Sequence, residues 1–227
     1  MSGLVFAAAP RTSLPVEGLD ARFPVRRVYC VGQNYAEHVR EMGGTERATP
    51  VFFDKPADAL ITKSEVPYPA STVNLHHEVE LVVALSSGGR DLDAEQAESC
   101  IFGYAVGVDL TRRDLQAAAK KKGAPWTTAK GFDNSAPISA IRPLDGGEHP
   151  INADIRLAVN GLMRQQGNTA EMIWSVPEVI AELSRLFELK AGDLLFTGTP
   201  AGVGALERGD LVACSIEGVG TLAFTVV

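Results

Sequence analysis

Apolar, β-branched and aromatic residues gather in short runs closed by Gly, Pro, Asn or Asp. Those β-type runs predict strands at Arg27 to Val31, Val51 to Asp54, Glu78 to Leu85, Tyr104 to Leu110, Ala153 to Asn160, Asp193 to Thr197, Asp210 to Ile216 and Leu222 to Val227. Asn160-Gly161 separates two of the runs and predicts a hairpin, because both residues tolerate positive φ. A helical period appears twice. One helix is expected after Thr111, with Thr111 capping amides near Asp114, Leu115, Ala118 and Ala119 on one side, and a stop at Gly123 before Pro125. The other opens at the capping box Ser175-Val176-Pro177-Glu178, carries Val179, Ile180, Leu183 and Leu186, and ends before Gly192. Strands outnumber helices and do not alternate with them, so the expected class is α+β, predominantly β, around packed sheets rather than a doubly wound sheet or a TIM barrel.

At 227 residues the chain can bury a full core as one domain, and it has no internal repeat or long linker. Its opening, residues 1–24, reads as an arm leading into the fold. The net charge of -7 disfavours a nucleic-acid partner, whose recognition needs a basic surface. The one basic run, Lys120 to Lys122, falls at a helix end, where cations suit the helix dipole. Cys30, Cys100 and Cys214 are widely spaced and odd in number, which suggests neither disulfides nor a zinc ribbon but a reducing compartment. Met1 to Pro10 lacks a positive charge before its apolar stretch, and no run of 18 apolar residues occurs. A soluble cytoplasmic protein without a membrane partner is the expectation.

The candidate chemistry centres on His76-His77-Glu78-Val79-Glu80-Leu81-Val82-Val83. On a strand Glu78 and Glu80 share a face, with Val79, Leu81 and Val83 on the other. Two close carboxylates repel unless a hard cation such as Mg²⁺ or Mn²⁺ neutralises them. Such a pattern also arises on a half-exposed strand with a solvated acidic face. His76 lies on the glutamate face and His77 opposite, where a structural hydrogen bond is expected; neither is taken as a ligand. Asp109, ending an apolar run, could supply a third carboxylate, or simply sit near a helix N-terminus. In Gly32-Gln33-Asn34-Tyr35-Ala36-Glu37-His38-Val39-Arg40-Glu41-Met42-Gly43-Gly44, a short helix Tyr35 to Met42 would put His38 and Glu41 on one face, a pairing able to activate water or to remain at the surface. Phe196 to Gly204 reads as a strand-end turn whose amides and hydroxyls could hold a substrate carboxylate, since no Gly-Lys-Ser/Thr follows.

In order, Val31-Gly32-Gln33-Asn34-Tyr35 with His38 and Glu41, Lys55-Pro56, His77-Glu78-Val79-Glu80, Asp109-Leu110-Thr111-Arg112-Arg113-Asp114, Lys130 and Thr197-Gly198-Thr199-Pro200 resemble the fumarylacetoacetate hydrolase family, from about Arg27 to the C-terminus. The length and Phe23-Pro24-Val25 are most similar to the fumarylpyruvate hydrolases and small acylpyruvases within it. The resemblance implies a mixed β-sandwich roll as a single catalytic domain over residues 25–227, a homodimer, and one Mg²⁺ or Mn²⁺ per subunit on Glu78, Glu80 and Asp109. It further implies a lid carrying a His38–Glu41 dyad, a catalytic Lys130, and Arg113, Gln116, Lys55, Thr199 and Gln33 near the substrate or metal. The implied reaction cleaves a carbon–carbon bond of an acylpyruvate such as fumarylpyruvate. Oxaloacetate decarboxylation or tautomerisation, and a non-catalytic acid-binding role, are the alternatives. One departure concerns Gln33, where the family pattern has Arg: a neutral amide cannot replace a bidentate cation for a second carboxylate.

Overall fold

The computed structural model describes residues 3–37 and 49–227. Its centre is a six-stranded mixed sheet in the spatial order Arg142–Pro143, Ile101–Val108, Val79–Leu85, Leu194–Phe196, Val28–Gly32, Val51–Lys55. A second, five-stranded sheet runs Leu162–Asn168, Asp154–Val159, Leu211–Ile216, Gly220–Val226, Glu65–Val66. All eight expected strands are present, with no end shifted by more than three residues.

Side-chain alternation explains how the layers meet. Val79, Leu81 and Val83 point with Tyr104, Val106 and Val108 into a core shared with Ile155, Leu157, Val212, Ile216 and Phe224 of the second sheet. The helix Val176–Leu186 closes this core with Val179, Ile180 and Leu183. The other face of the central sheet offers Val28, Cys30, Val82, Ala84, Leu194 and Phe196 to a second core. That core is covered by Leu14, Val16 and Phe23 of an N-terminal hairpin, Ser13–Val16 with Leu19–Pro24, and by Ile138 and Ile141. Each buried aliphatic or aromatic side chain contributes about 1.5–3 kcal/mol. The middle strand, Val79–Leu85, is thus buried on both faces along its whole length. The half-exposed strand with a solvated acidic face is thereby excluded.

The turn chemistry behaves as its residues dictate. Asn160 and Gly161 take φ of 51° and 77° between strands paired from Asp154↔Asn168 to Val159↔Leu162. Ser175 and Glu178 form the reciprocal capping box, with the Ser175 amide donating to Glu178 Oε2 at 2.9 Å. The other long helix, Arg113–Lys122, ends on Gly123 at φ 63°, a left-handed cap.

Two local expectations are corrected. Thr111 does not cap that helix: its buried hydroxyl donates to Glu78 Oε1 at 3.2 Å, and Asp114 takes the Leu115 amide instead. The buried residue of the helix is Gln116, not Leu115, Ala118 or Ala119, because the face turned inward borders a polar cleft. Among the described residues no helix is long and apolar enough to cross a membrane.

Candidate metal and active site

Register in the central sheet assembles the acidic cluster. Val79 pairs with Val108 and Glu80 with Gly107, so Glu78 and Asp109 emerge side by side from the same end of two antiparallel strands. The Asp109 amide donates to the Glu78 carbonyl at 2.8 Å and holds the ends together. Glu78 itself interrupts the strand: Leu75–His77 belongs to a separate three-stranded sheet, and the chain turns at Glu78 before Val79–Leu85. Gly107 faces Glu80 with no room for a side chain, since a Cβ there would stand 2.6 Å from both the Phe196 ring and Val82.

Glu78, Glu80 and Asp109 are 5%, 2% and 0% exposed, and a carboxylate oxygen from each lies within 4.8 Å of the others. Burial, followed by the charges of Asp109 and Glu78, pushes the Glu80 carboxyl well above the usual carboxylate range. Three hard oxygen donors at this spacing, out of water and in mutual repulsion, fit a divalent cation such as Mg²⁺ or Mn²⁺. Asp109 Oδ1 accepts no aligned hydrogen bond, although Lys55 Nζ stands 2.8 Å from it as an ion-pair partner. The ion pair neutralises that oxygen's charge, and its poor alignment leaves the oxygen with acceptor capacity.

Basic groups surround the cluster. Lys130 Nζ donates to Glu78 Oε2 at 2.9 Å and to Asp109 Oδ2 at 2.6 Å. Burial opposes its charge, but Asp109 and Glu78 more than reverse that and raise its pKa. Arg113 donates to Glu78 Oε1 at 2.7 Å and to Gln116 Oε1 at 2.6 Å, so the two residues form one wall of the cleft. Lys55 lies behind Asp109, where it also donates to Ser135 Oγ, Leu110 O and Lys130 O. Its ammonium supports Asp109 and Lys130 from the side away from the cleft.

The loop Thr197-Gly198-Thr199-Pro200 closes the opposite wall. The Gly198 amide donates to Glu80 Oε2 at 2.7 Å, from a residue at φ 96° whose Cβ would meet Asn34 Cβ at 2.8 Å. The Thr199 hydroxyl donates to Val79 O at 2.8 Å and accepts from Gln165 Nε2 at 2.7 Å. That hydroxyl is therefore committed to holding the loop on the strand. His77 likewise bonds Gln165 Oε1 at 2.9 Å, the structural role expected of it. His76 is half-buried beside Arg113, and burial and that cation bring its pKa down to about 4.

Gln33, at φ 61°, lines the cleft over the acidic cluster. Asn34 fixes this segment by donating to Trp174 O and Thr197 O at 3.0 and 2.9 Å. His38 and Glu41 lie outside the described residues; of their expected helix residues 35–37 are described, with Tyr35 bridged to Met172 and Ala36 and Glu37 helical. The remaining cleft residues had not been anticipated. Phe53 and Trp126 form an aromatic wall with ring centroids 5.8 Å apart, and Lys120 extends over the Trp126 ring at 5.1 Å. Their spacing holds one usable signal: Lys120 is four residues from Gln116 and seven from Arg113, on the same helical face.

Residues 27–227 match the fumarylacetoacetate (FAA) hydrolase C-terminal family. The chain belongs to that family. Among solved structures it is similar to fumarylpyruvate hydrolase from Pseudomonas aeruginosa in complex with Mn²⁺ and pyruvate, with 50% identity, a TM-score of 0.97 and 99% of each chain covered. It is also 44% identical to oxaloacetate tautomerase YcgM of Escherichia coli (strain K12), over 89% of this chain and 93% of that protein. A mitochondrial oxaloacetate decarboxylase of Dictyostelium discoideum is 39% identical, over 86% of this chain and 91% of that protein. The mixed sandwich expected from the family resemblance is the fold observed.

Proposed function

We propose that the chain is a divalent-metal-dependent acylpyruvate hydrolase that converts fumarylpyruvate to fumarate and pyruvate. The observation that carries this reading is the buried Glu78–Glu80–Asp109 cluster facing a cleft walled by Arg113, Gln116 and Lys130. Likeness to the Pseudomonas aeruginosa fumarylpyruvate hydrolase across 99% of both chains supports the substrate choice.

Mg²⁺ or Mn²⁺ held by Glu78, Glu80 and Asp109 would act as a Lewis acid toward the 2-keto acid end of the substrate. Arg113 and Gln116 are placed to orient that end, and their mutual hydrogen bond limits the rotamers each can adopt. Following the family resemblance, His38 and Glu41 would take a proton from water as it adds to the C4 carbonyl. The C3–C4 bond then breaks with its electron pair passing to the pyruvyl fragment, and protonation at C3 yields pyruvate. Lys130, fixed on Glu78 and Asp109, would put a positive charge beside the enolate as it develops.

Oxaloacetate tautomerisation or decarboxylation is the second reading, favoured by the 44% and 39% identical relatives. Both reactions need the same stabilised enolate but no added water. The two readings separate on product analysis with Mn²⁺ present: equimolar fumarate and pyruvate from fumarylpyruvate supports hydrolysis. Faster turnover of oxaloacetate, with fumarylpyruvate untouched, would replace it. A homodimer is the assembly proposed from the family resemblance, and sedimentation equilibrium tests it.

A further inference from the structure

The cleft contains a cation that the acidic cluster does not use. Arg113, Lys130 and Lys55 are all ion-paired to Glu78 or Asp109. Lys120 makes no ion pair with any described residue, and it lines the same cleft. Lys121 and Lys122, its neighbours in sequence, are not among the cleft residues. Helical geometry gives the reason: Arg113, Gln116 and Lys120 recur at intervals of three and four on one face of Arg113–Lys122, whereas the next two lysines rotate away.

The ammonium is also held in place. It stands 5.1 Å from the centroid of the Trp126 ring, a cation–π arrangement that limits where a long, flexible side chain can put its charge. Trp126 in turn contacts Phe53, and both rings line the cleft. Partial burial, then the nearby Arg113 charge, lowers the Lys120 pKa from its ordinary value, against the raising effect of Glu78. Gln33 shares the cleft and carries no charge.

We propose that Lys120 is the specificity determinant for a second, distal carboxylate on the substrate. It supplies the positive charge that Gln33 does not, and Trp126 with Phe53 forms an aromatic wall suited to a flat, unsaturated acyl chain. The substrate class is thus a planar dicarboxylic acylpyruvate, charged at both ends. The inference deepens the hydrolase reading and rests on it for the position of the reacting end.

The test compares fumarylpyruvate, charged at both ends, with acetylpyruvate, which has no distal carboxylate, in the full-length Mn²⁺-loaded protein and its Lys120→Met and Lys120→Arg variants. The expected result is a fall of about tenfold or more in the ratio of kcat/KM for fumarylpyruvate to that for acetylpyruvate in Lys120→Met, carried mainly by KM, with Lys120→Arg retaining most of the ratio. A ratio within twofold of the unaltered protein would overturn the proposal. If the unaltered protein hydrolyses neither compound, the hydrolase reading fails on its own, and Lys120 is judged by calorimetric titration with fumarate. Binding weakened about tenfold by Lys120→Met and kept by Lys120→Arg supports the assignment; equal binding by all three overturns it.

Discussion

Lys130 and Asp109 form an ion pair at 2.6 Å between side chains only 3% and 1% exposed. A buried ammonium against carboxylates that would hold a metal has two consequences. It compensates repulsion within the cluster, and it places a cation where the product enolate would form. Removing one member of such a pair leaves an uncompensated buried charge, at a cost of about 3–5 kcal/mol.

Lys130→Met is therefore expected to unfold at a markedly lower temperature than the unaltered protein in EDTA, and to recover much of the difference with Mn²⁺ present. Turnover should not recover. Thermal unfolding with and without metal checks this, and an equal loss of stability under both conditions would count against the shared compensation of Glu78 and Asp109.

Gln165 connects the acidic strand to the Thr199 loop. Its Oε1 accepts from the Val79 amide at 3.1 Å and its Nε2 donates to Thr199 Oγ1 and Pro200 O at 2.7 and 2.9 Å. Gln165→Leu would leave several buried polar groups unpaired, each costing about 1–3 kcal/mol. A loss of about 3 kcal/mol or more is expected in urea unfolding, accompanied by weaker Mn²⁺ binding because the same loop presents Gly198 to Glu80. A loss below 1 kcal/mol would show the network to be dispensable.

Asp114 provides a pH dependence. Burial pushes its carboxyl up, but hydrogen bonds from the Thr72 hydroxyl and from the Leu115 and Val73 amides outweigh this and hold it below the usual carboxylate value. A folded pKa below the unfolded one contributes stability that is present above the unfolded value and is lost as pH falls through the folded value. The stability difference between the unaltered protein and Asp114→Asn should be about 1 kcal/mol or less after solvent screening at neutral pH, and should shrink below about pH 4. Unfolding curves across that range check the direction.

Much of the fold was legible because the relevant signals are local. Asn160-Gly161 and the Ser175–Glu178 box dictate their turns through backbone chemistry that neighbours do not override. The trio Glu78, Glu80 and Asp109 was legible as a set, and the structure brings its members together. What pattern alone did not give depends on packing between distant segments. Glu78 and Glu80 read like the polar face of a half-exposed strand, yet Val79–Leu85 is covered on both faces, because the N-terminal hairpin and Ile138 supply a second core. Thr111 looked like a cap, but the short pairing of Thr111 with His76 turns its hydroxyl to Glu78. Lys120 was hidden by its neighbours: a basic run at a helix end has a sufficient explanation in the helix dipole, and only the position of Trp126 shows that one of the three lines the cleft.

Glu78, Glu80 and Asp109 are proposed to hold a divalent cation required for cleavage of an acylpyruvate. The most direct test follows the enol-diketone absorbance of fumarylpyruvate in the unaltered protein and in Glu80→Gln, with Mn²⁺ and with EDTA. Rapid loss of absorbance only in the unaltered, Mn²⁺-loaded protein is the predicted result, with Glu80→Gln slowed by at least about a hundredfold. Turnover that persists in EDTA, or survives Glu80→Gln, would contradict the account.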